Sequence, residues 1–255
     1  MASIKITRAV VPSLFTTLNI FCGFLSIVSA HDSRFIGAAL FIILAGIFDT
    51  LDGMMARITK SSSQFGVELD SLADVVSFGA APSFLVYRAG LFEWGAWGLL
   101  VAALPLIFGS IRLARFNVQL VGFDKDCFKG LPIPMQAITV AAFILQYHTE
   151  GAGLTGWPHD ALAPLVVFLS LLMVSTIRYD AMPKLSKRQL EAHPWKVVSF
   201  AVAGLIVIFS KAALLFPVLL AFSLFGIVRA VVRTASPKAA PAPAAPEEEV
   251  SSIDI

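Results

Sequence analysis

Apolar residues run along this chain in long blocks that charges barely interrupt: 9–30, 35–48, 75–87, 94–111, 131–149, 161–177, 197–210 and 212–228. A helix that crosses a bilayer needs about 20 mostly apolar residues. The pattern therefore predicts eight spanning helices, and 35–48 and 75–87 fall short of that length because aspartates stand at their ends. The first block follows Lys5 and Arg8 and closes with Val28-Ser29-Ala30, the outline of a secretory leader. It is longer than the roughly 7–15 residues of a leader core and carries Pro12, Thr16, Thr17 and Asn19, so it reads as a retained first helix. The blocks divide into a six-helix membrane core over 1–194 and a helical hairpin over 195–233 that turns near Ser210-Lys211. The tail over 234–255 is Ala- and Pro-rich, then acidic. Such a composition has too little apolar surface to bury and is expected to be disordered.

Composition agrees. Of 255 residues, 57% are hydrophobic and 14% charged, against about 25% charged in a soluble domain. A formal charge of +2 argues against a nucleic-acid partner. Placed on the eight-helix scheme, Arg34, Arg88 and Lys211 fall on one side and the rest of the 19 Lys and Arg on the other. By the positive-inside rule that asymmetry puts both termini in the cytoplasm, in the cell membrane. The basic loops also suit anionic lipid headgroups. Cys22, within the first helix, and Cys127, in a cytoplasmic loop, imply no disulfide. Trp94, Trp97, Trp157 and Trp195 fall at the expected interfaces, as an aromatic belt does.

Chemistry concentrates in one stretch: Asp49-Thr-Leu-Asp52-Gly53-Met-Met-Ala56-Arg57, eight residues, Gly66, three residues, Asp70, three residues, Asp74. Spacings of three and four put side chains on one helix face. Asp49 and Asp52 thus form one pair and Asp70 and Asp74 another, expected at one depth in the cytoplasmic turns of helices over about 35–54 and 69–88. A single aspartate at such a place has a plain structural use, capping a helix or pairing with Arg57 or Lys60. Four together repel one another where water is scarce and call for a multivalent cation. An all-carboxylate set suits hard ions such as Mg²⁺ or Mn²⁺, and four carboxylates have the capacity for two, an arrangement that stabilises phosphoryl transfer.

The pattern D-x2-D-G-x2-A-R-x8-G-x3-D-x3-D over residues 49–74 resembles the signature of the CDP-alcohol phosphotransferase family at all eight fixed positions. Within it, Pro12–Gly23, Ser77–Pro82, Arg112–Asn117 and Phe128–Pro134 are similar to the phosphatidylserine synthase branch, with Ser13 where the family usually has Asn. The resemblance implies an all-α membrane fold with a six-helix core, a homodimer, and two divalent metal ions on Asp49, Asp52, Asp70 and Asp74, with Asp74 also the general base. It implies a CDP-diacylglycerol donor, serine as acceptor, and release of CMP. CDP is expected to lie against Asp49, Gly53, Ala56, Arg57 and Asp70, with Thr16 and Asn19 facing it or merely bonding across helices. Small Gly53 and Ala56 leave room for a base or sugar, and Arg57 is placed either to neutralise phosphate or to anchor an aspartate.

Serine's carboxylate needs a cation, for which Arg112 and Arg115 are candidates, with Asn117 and Lys129 as neighbours. Two alternatives remain at this level. Glycerol 3-phosphate or inositol phosphate as acceptor would call for a denser basic cluster. A divalent-cation transporter would place its carboxylates nearer the bilayer midplane.

Overall fold

The computed structural model describes residues 10–59, 63–121, 130–149, 151–177 and 214–235. Its helices are α1 (Val10–His31), α2 (Phe35–Thr59), α3 (Gln64–Asp74), α4 (Ala81–Ala89), α5 (Gly95–Val121), α6 (Ile133–Tyr147), α7 (Trp157–Val174) and α8 (Leu215–Ala235). A π-helical segment, Val75–Ala80, joins α3 to α4, so that Gln64–Ala89 crosses as one rod. Among the described residues the β contact is a single bridge between Thr149 and Gly153. The chain is an all-α integral membrane protein.

Six of these stretches are long and apolar enough to cross a bilayer: Ser13–His31, Phe35–Ala56, Gln64–Ala89, Leu91–Val118, Trp157–Val174 and Leu215–Val232. The expected span over 131–149 is a helix of only 15 residues, Ile133–Tyr147, with ten of them buried. Pro132 and Pro134 explain its late start, because proline lacks the N–H a helix interior requires and fits only the first turn. The expected helix over 197–210 and the tail beyond Ala235 lie outside the described residues, while Thr234 and Ala235, expected in the tail, end α8.

The rod begins at Gln64, rather more than a turn before the expected start at about 69. Ser63 caps it, its Oγ accepting from the Gly66 N–H at 3.0 Å, which satisfies one of the first-turn donors that a helix leaves open. Asp70 and Asp74 therefore sit in the second and third turns rather than at the start. The π segment follows at once. Pro82 has no N–H to return to Phe78 and its ring crowds that carbonyl. The wider pattern, in which the Ala81 N–H reaches back to the Val76 carbonyl, accommodates it.

Two sets of contacts define the ends of the bundle. At one end Arg88 donates to the His31 carbonyl and to Ser33 Oγ, both at 3.4 Å. Tyr147 stacks edge-on against Trp157 at 4.7 Å, and His159 lies 3.8 Å from Glu93. At the other end the Gly130 N–H bonds to the Ile177 carbonyl at 2.8 Å and the Leu131 N–H to Leu172 at 2.9 Å. Gly130 is obligatory where it stands: its φ is +87° and a Cβ there would lie 2.1 Å from the Met173 carbonyl oxygen.

The apolar core gathers on α6 and the rod, with Phe78, Leu85, Ile133, Val140, Phe143 and Ile144 fully or almost fully buried. α8 packs onto α6 through Phe216, whose ring lies 5.1 Å from Phe143. α1 meets the rod at close quarters, since a Cβ on Gly23 would lie 2.8 Å from Ser77 Cα. Small residues allow such approaches between membrane helices. Ser77 Oγ completes this contact by donating to the Asn19 carbonyl at 2.8 Å.

Candidate active site

α2 and the rod deliver their aspartates to one place. One carboxylate oxygen from each of Asp49, Asp70 and Asp74 lies within 4.8 Å of the others. Asp52, a turn along α2, stands outside this close group and accepts a hydrogen bond from Thr16 Oγ1 of α1. Asp74 is 9% exposed, and its Oδ1 is buried without a hydrogen-bond partner.

Unit charges at about 4–5 Å repel by roughly 3–4 kcal/mol per pair even at an effective dielectric constant of 20. A neutral hydrogen bond returns only about 1 kcal/mol net, so no local hydrogen bond offsets the repulsion. Among the described residues, Arg112 of α5, 7% exposed and with its Nε unpartnered, acts on Asp74 electrostatically. That single guanidinium does not balance three or four carboxylates. An all-oxygen donor set with an orphaned buried oxygen fits a hard divalent cation.

The surroundings of the aspartates differ from residue to residue. Gly53 is exposed, and a Cβ there would meet nothing within 4 Å. Its smallness serves no protein contact and leaves the α2 face beside Asp49 and Asp52 open. Ala56, one turn on, is half-buried. The Arg57 side chain and Lys129 lie outside the described residues. Thr16 makes the interhelical bond to Asp52. Asn19 is fully buried with both amide atoms unpartnered.

The basic end of α5 is split in its contacts. Arg112 interacts electrostatically with Asp74, whereas Arg115 Nη1 donates to the Val174 carbonyl of α7 at 3.3 Å. Asn117 Nδ2 donates to Ser71 Oγ at 3.0 Å. Ser71, next to Asp70, escaped the sequence reading because its partner is 46 residues away. Gln136 of α6 also escaped it, a fully buried amide with both ends unpartnered. A lone polar residue in a proline-flanked apolar block was the available signal.

Fold and site together define a polytopic α-helical membrane protein with an acidic, cation-seeking centre between two helices near one end of the bundle. The family model described as CDP-alcohol phosphatidyltransferase matches residues 9–173, and the chain belongs to that family. It is 42% identical over 176 residues, 68% of this chain and 73% of the relative, to a Helicobacter pylori protein named CDP-diacylglycerol–serine O-phosphatidyltransferase. A Bacillus subtilis protein of the same name is 34% identical over 185 residues, 72% of this chain and 98% of the relative. Archaetidylserine synthase of Methanothermobacter thermautotrophicus is 39% identical over 179 residues, 69% of this chain and 72% of that one. Among solved structures, the phosphatidylinositol phosphate synthase of Mycobacterium tuberculosis with CDP-DAG bound superposes with a TM-score of 0.51 at 21% identity, covering 67% of this chain and 82% of that one. At that identity the likeness speaks for the fold alone.

Proposed function

We propose that this chain transfers the phosphatidyl group of CDP-diacylglycerol to the hydroxyl of L-serine, yielding phosphatidylserine and CMP. The observation that carries the reaction class is the convergence of Asp49, Asp70 and Asp74 beside the open face at Gly53. The serine acceptor is supported by the names of the bacterial relatives and by a buried guanidinium, Arg112, beside the acids.

Two divalent ions, Mg²⁺ or Mn²⁺, would be held by Asp49, Asp70 and Asp74, with Asp52 completing the set from where Thr16 holds it. Bound there, they would supply Lewis acidity to the diphosphate oxygens and charge balance to the acids. Gly53 and Ala56 receive the cytidine sugar on the open face of α2, and the family resemblance assigns Arg57 to the nucleotide. Arg112 binds the serine carboxylate. The serine oxygen bonds to the phosphatidyl phosphorus while the bond from that phosphorus to the CMP oxygen breaks. Asp74, with its unpartnered Oδ1, takes the hydroxyl proton as general base. Lysine and arginine distribution supports a site facing the cytoplasm in the cell membrane, and family resemblance supports a homodimer. The helical body over 1–194 carries the chemistry in this reading, and 195–233 is an appended hairpin.

The test is a reconstituted assay: purified protein, CDP-diacylglycerol, Mn²⁺ or Mg²⁺ and labelled serine should give phosphatidylserine and CMP in equal amounts. Transfer to glycerol 3-phosphate in place of serine would overturn the acceptor. Cation flux into liposomes without CMP release would overturn the enzyme.

A further inference from the structure

The hydrogen bond between Asn117 and Ser71 ties the acceptor end of the site to its acidic end. Asn117 belongs to the Arg-Phe-Asn end of α5, where a role in holding the acceptor is the natural first reading. Its amide instead donates to Ser71 Oγ at 3.0 Å, and the Ser71 hydroxyl donates in turn to the Val67 carbonyl at 3.0 Å. Ser71 follows Asp70 and stands three residues before Asp74, so fastening it fixes the helical turn that carries both carboxylates.

That turn has reason to need fastening. Past Asp74 the backbone leaves α geometry for the π segment, so the regular ladder that would pass the rotation of α4 down to α3 is interrupted. Ser63 caps the start of α3 from within its own chain segment and does not hold it against a neighbour. Arg112, on the same helix as Asn117, acts on Asp74 electrostatically, and such an attraction sets no particular rotation.

We propose that Asn117 is a positioning residue: through Ser71 it sets the rotation of α3, and so the spacing of the Asp70 and Asp74 carboxylates about Asp49, and it does not touch the acceptor. This rests on the reading of the aspartates as a divalent-cation site. The readout is therefore Mn²⁺ binding by the purified full chain without substrate, followed by the free-Mn²⁺ resonance, alongside the serine KM at saturating Mn²⁺. Asn117→Ala and Ser71→Ala should each weaken Mn²⁺ binding by roughly 3- to 10-fold, the effect of one hydrogen bond. The double variant should be no weaker than the more severe single, because both remove one interaction. Ser71→Thr, which keeps the hydroxyl, should restore binding, and the serine KM should stay within about twofold throughout.

Unchanged Mn²⁺ binding in both single variants would overturn the proposal. So would a serine KM raised tenfold or more in Asn117→Ala but not in Ser71→Ala. Should Asn117→Ala fail to fold, Ser71→Ala deletes the same bond from a half-buried position and decides alone. Weakened Mn²⁺ binding in a protein that transfers to another acceptor would sink the serine assignment and leave this link standing.

Discussion

The two ends of the helical bundle solve opposite problems. At the end marked by His31, Arg88 and His159, most polar groups meet partners within the chain: Asp32 and Arg34 pair at 2.8 Å, His159 lies 3.8 Å from Glu93 and 3.5 Å from Asp160, and Arg88 donates through Nη2 to the His31 carbonyl while its Nε is buried without a partner. At the other end, Asp49, Asp70 and Asp74 crowd together, and buried polar atoms of Asp74 and Arg112 lack partners. The first end carries exposed ion pairs between opposite charges, whereas the second gathers like charges that suit a divalent cation.

That contrast is best broken at Asp74. Asp74→Asn should cut turnover by about 10³-fold or more, in line with loss of a general base combined with loss of a ligand, while thermal stability in metal-free detergent stays level or rises as repulsion is relieved. In the wild type, Mn²⁺ should raise Tm by mass action, and in the variant the rise should shrink. A variant with near-normal turnover would remove Asp74 from the chemistry.

Gly23→Val inverts the experiment by attacking the fold at the α1 contact. With Ser77 Cα 2.8 Å from where a Cβ would stand, overpacking should cost about 1–3 kcal/mol, read as a lower Tm and a lower yield of folded protein. A Tm equal to wild type would show that the approach of the helices is looser than described.

Thr16→Ala should lower kcat/KM for CDP-diacylglycerol by roughly tenfold, since Asp52 loses the donor that holds it. Equal activity would make that bond idle. Gly53→Ala should leave Tm unchanged, because its Cβ enters open space. If a ligand lies on that face, it should instead raise the KM for the lipid donor several-fold. Smallest of all, Arg34→Ala should change Tm and turnover within error, as exposed ion pairs contribute about 0–1 kcal/mol.

What was legible in the sequence follows from range. The aspartate pairs lie three and four residues apart on their helices, so local periodicity places them on shared faces without any tertiary information. Most of the membrane helices could be read for a similar reason, because each block of apolar residues carries its own length. Contacts between helices could not. Nothing local tells that Asp52 leaves the close group for Thr16, 36 residues away, or that Asn117 reaches Ser71 rather than a ligand. The sequence pattern starts α3 too late because charge marks the end of an apolar span, while the helix runs on past its aspartates to the cap at Ser63. The shortness of α6 was visible in its two prolines but outweighed by the length of the apolar block.

The π segment after Asp74 has a consequence for how this rod can vary. Each residue in an α-helix advances the side chains by about 100°, and a π turn packs roughly one more residue into the same rotation, so Val75–Ala80 takes up an extra residue while the faces on either side keep their phase. Deleting one residue there would restore a uniform helix with the aspartates held in nearly the same direction relative to Leu85, Val86 and Arg88. Deleting one from the regular turns of α3 or α4 would instead swing the two ends apart by about 100°. Within the rod, the π segment is therefore the place where a one-residue change in length does least to the site.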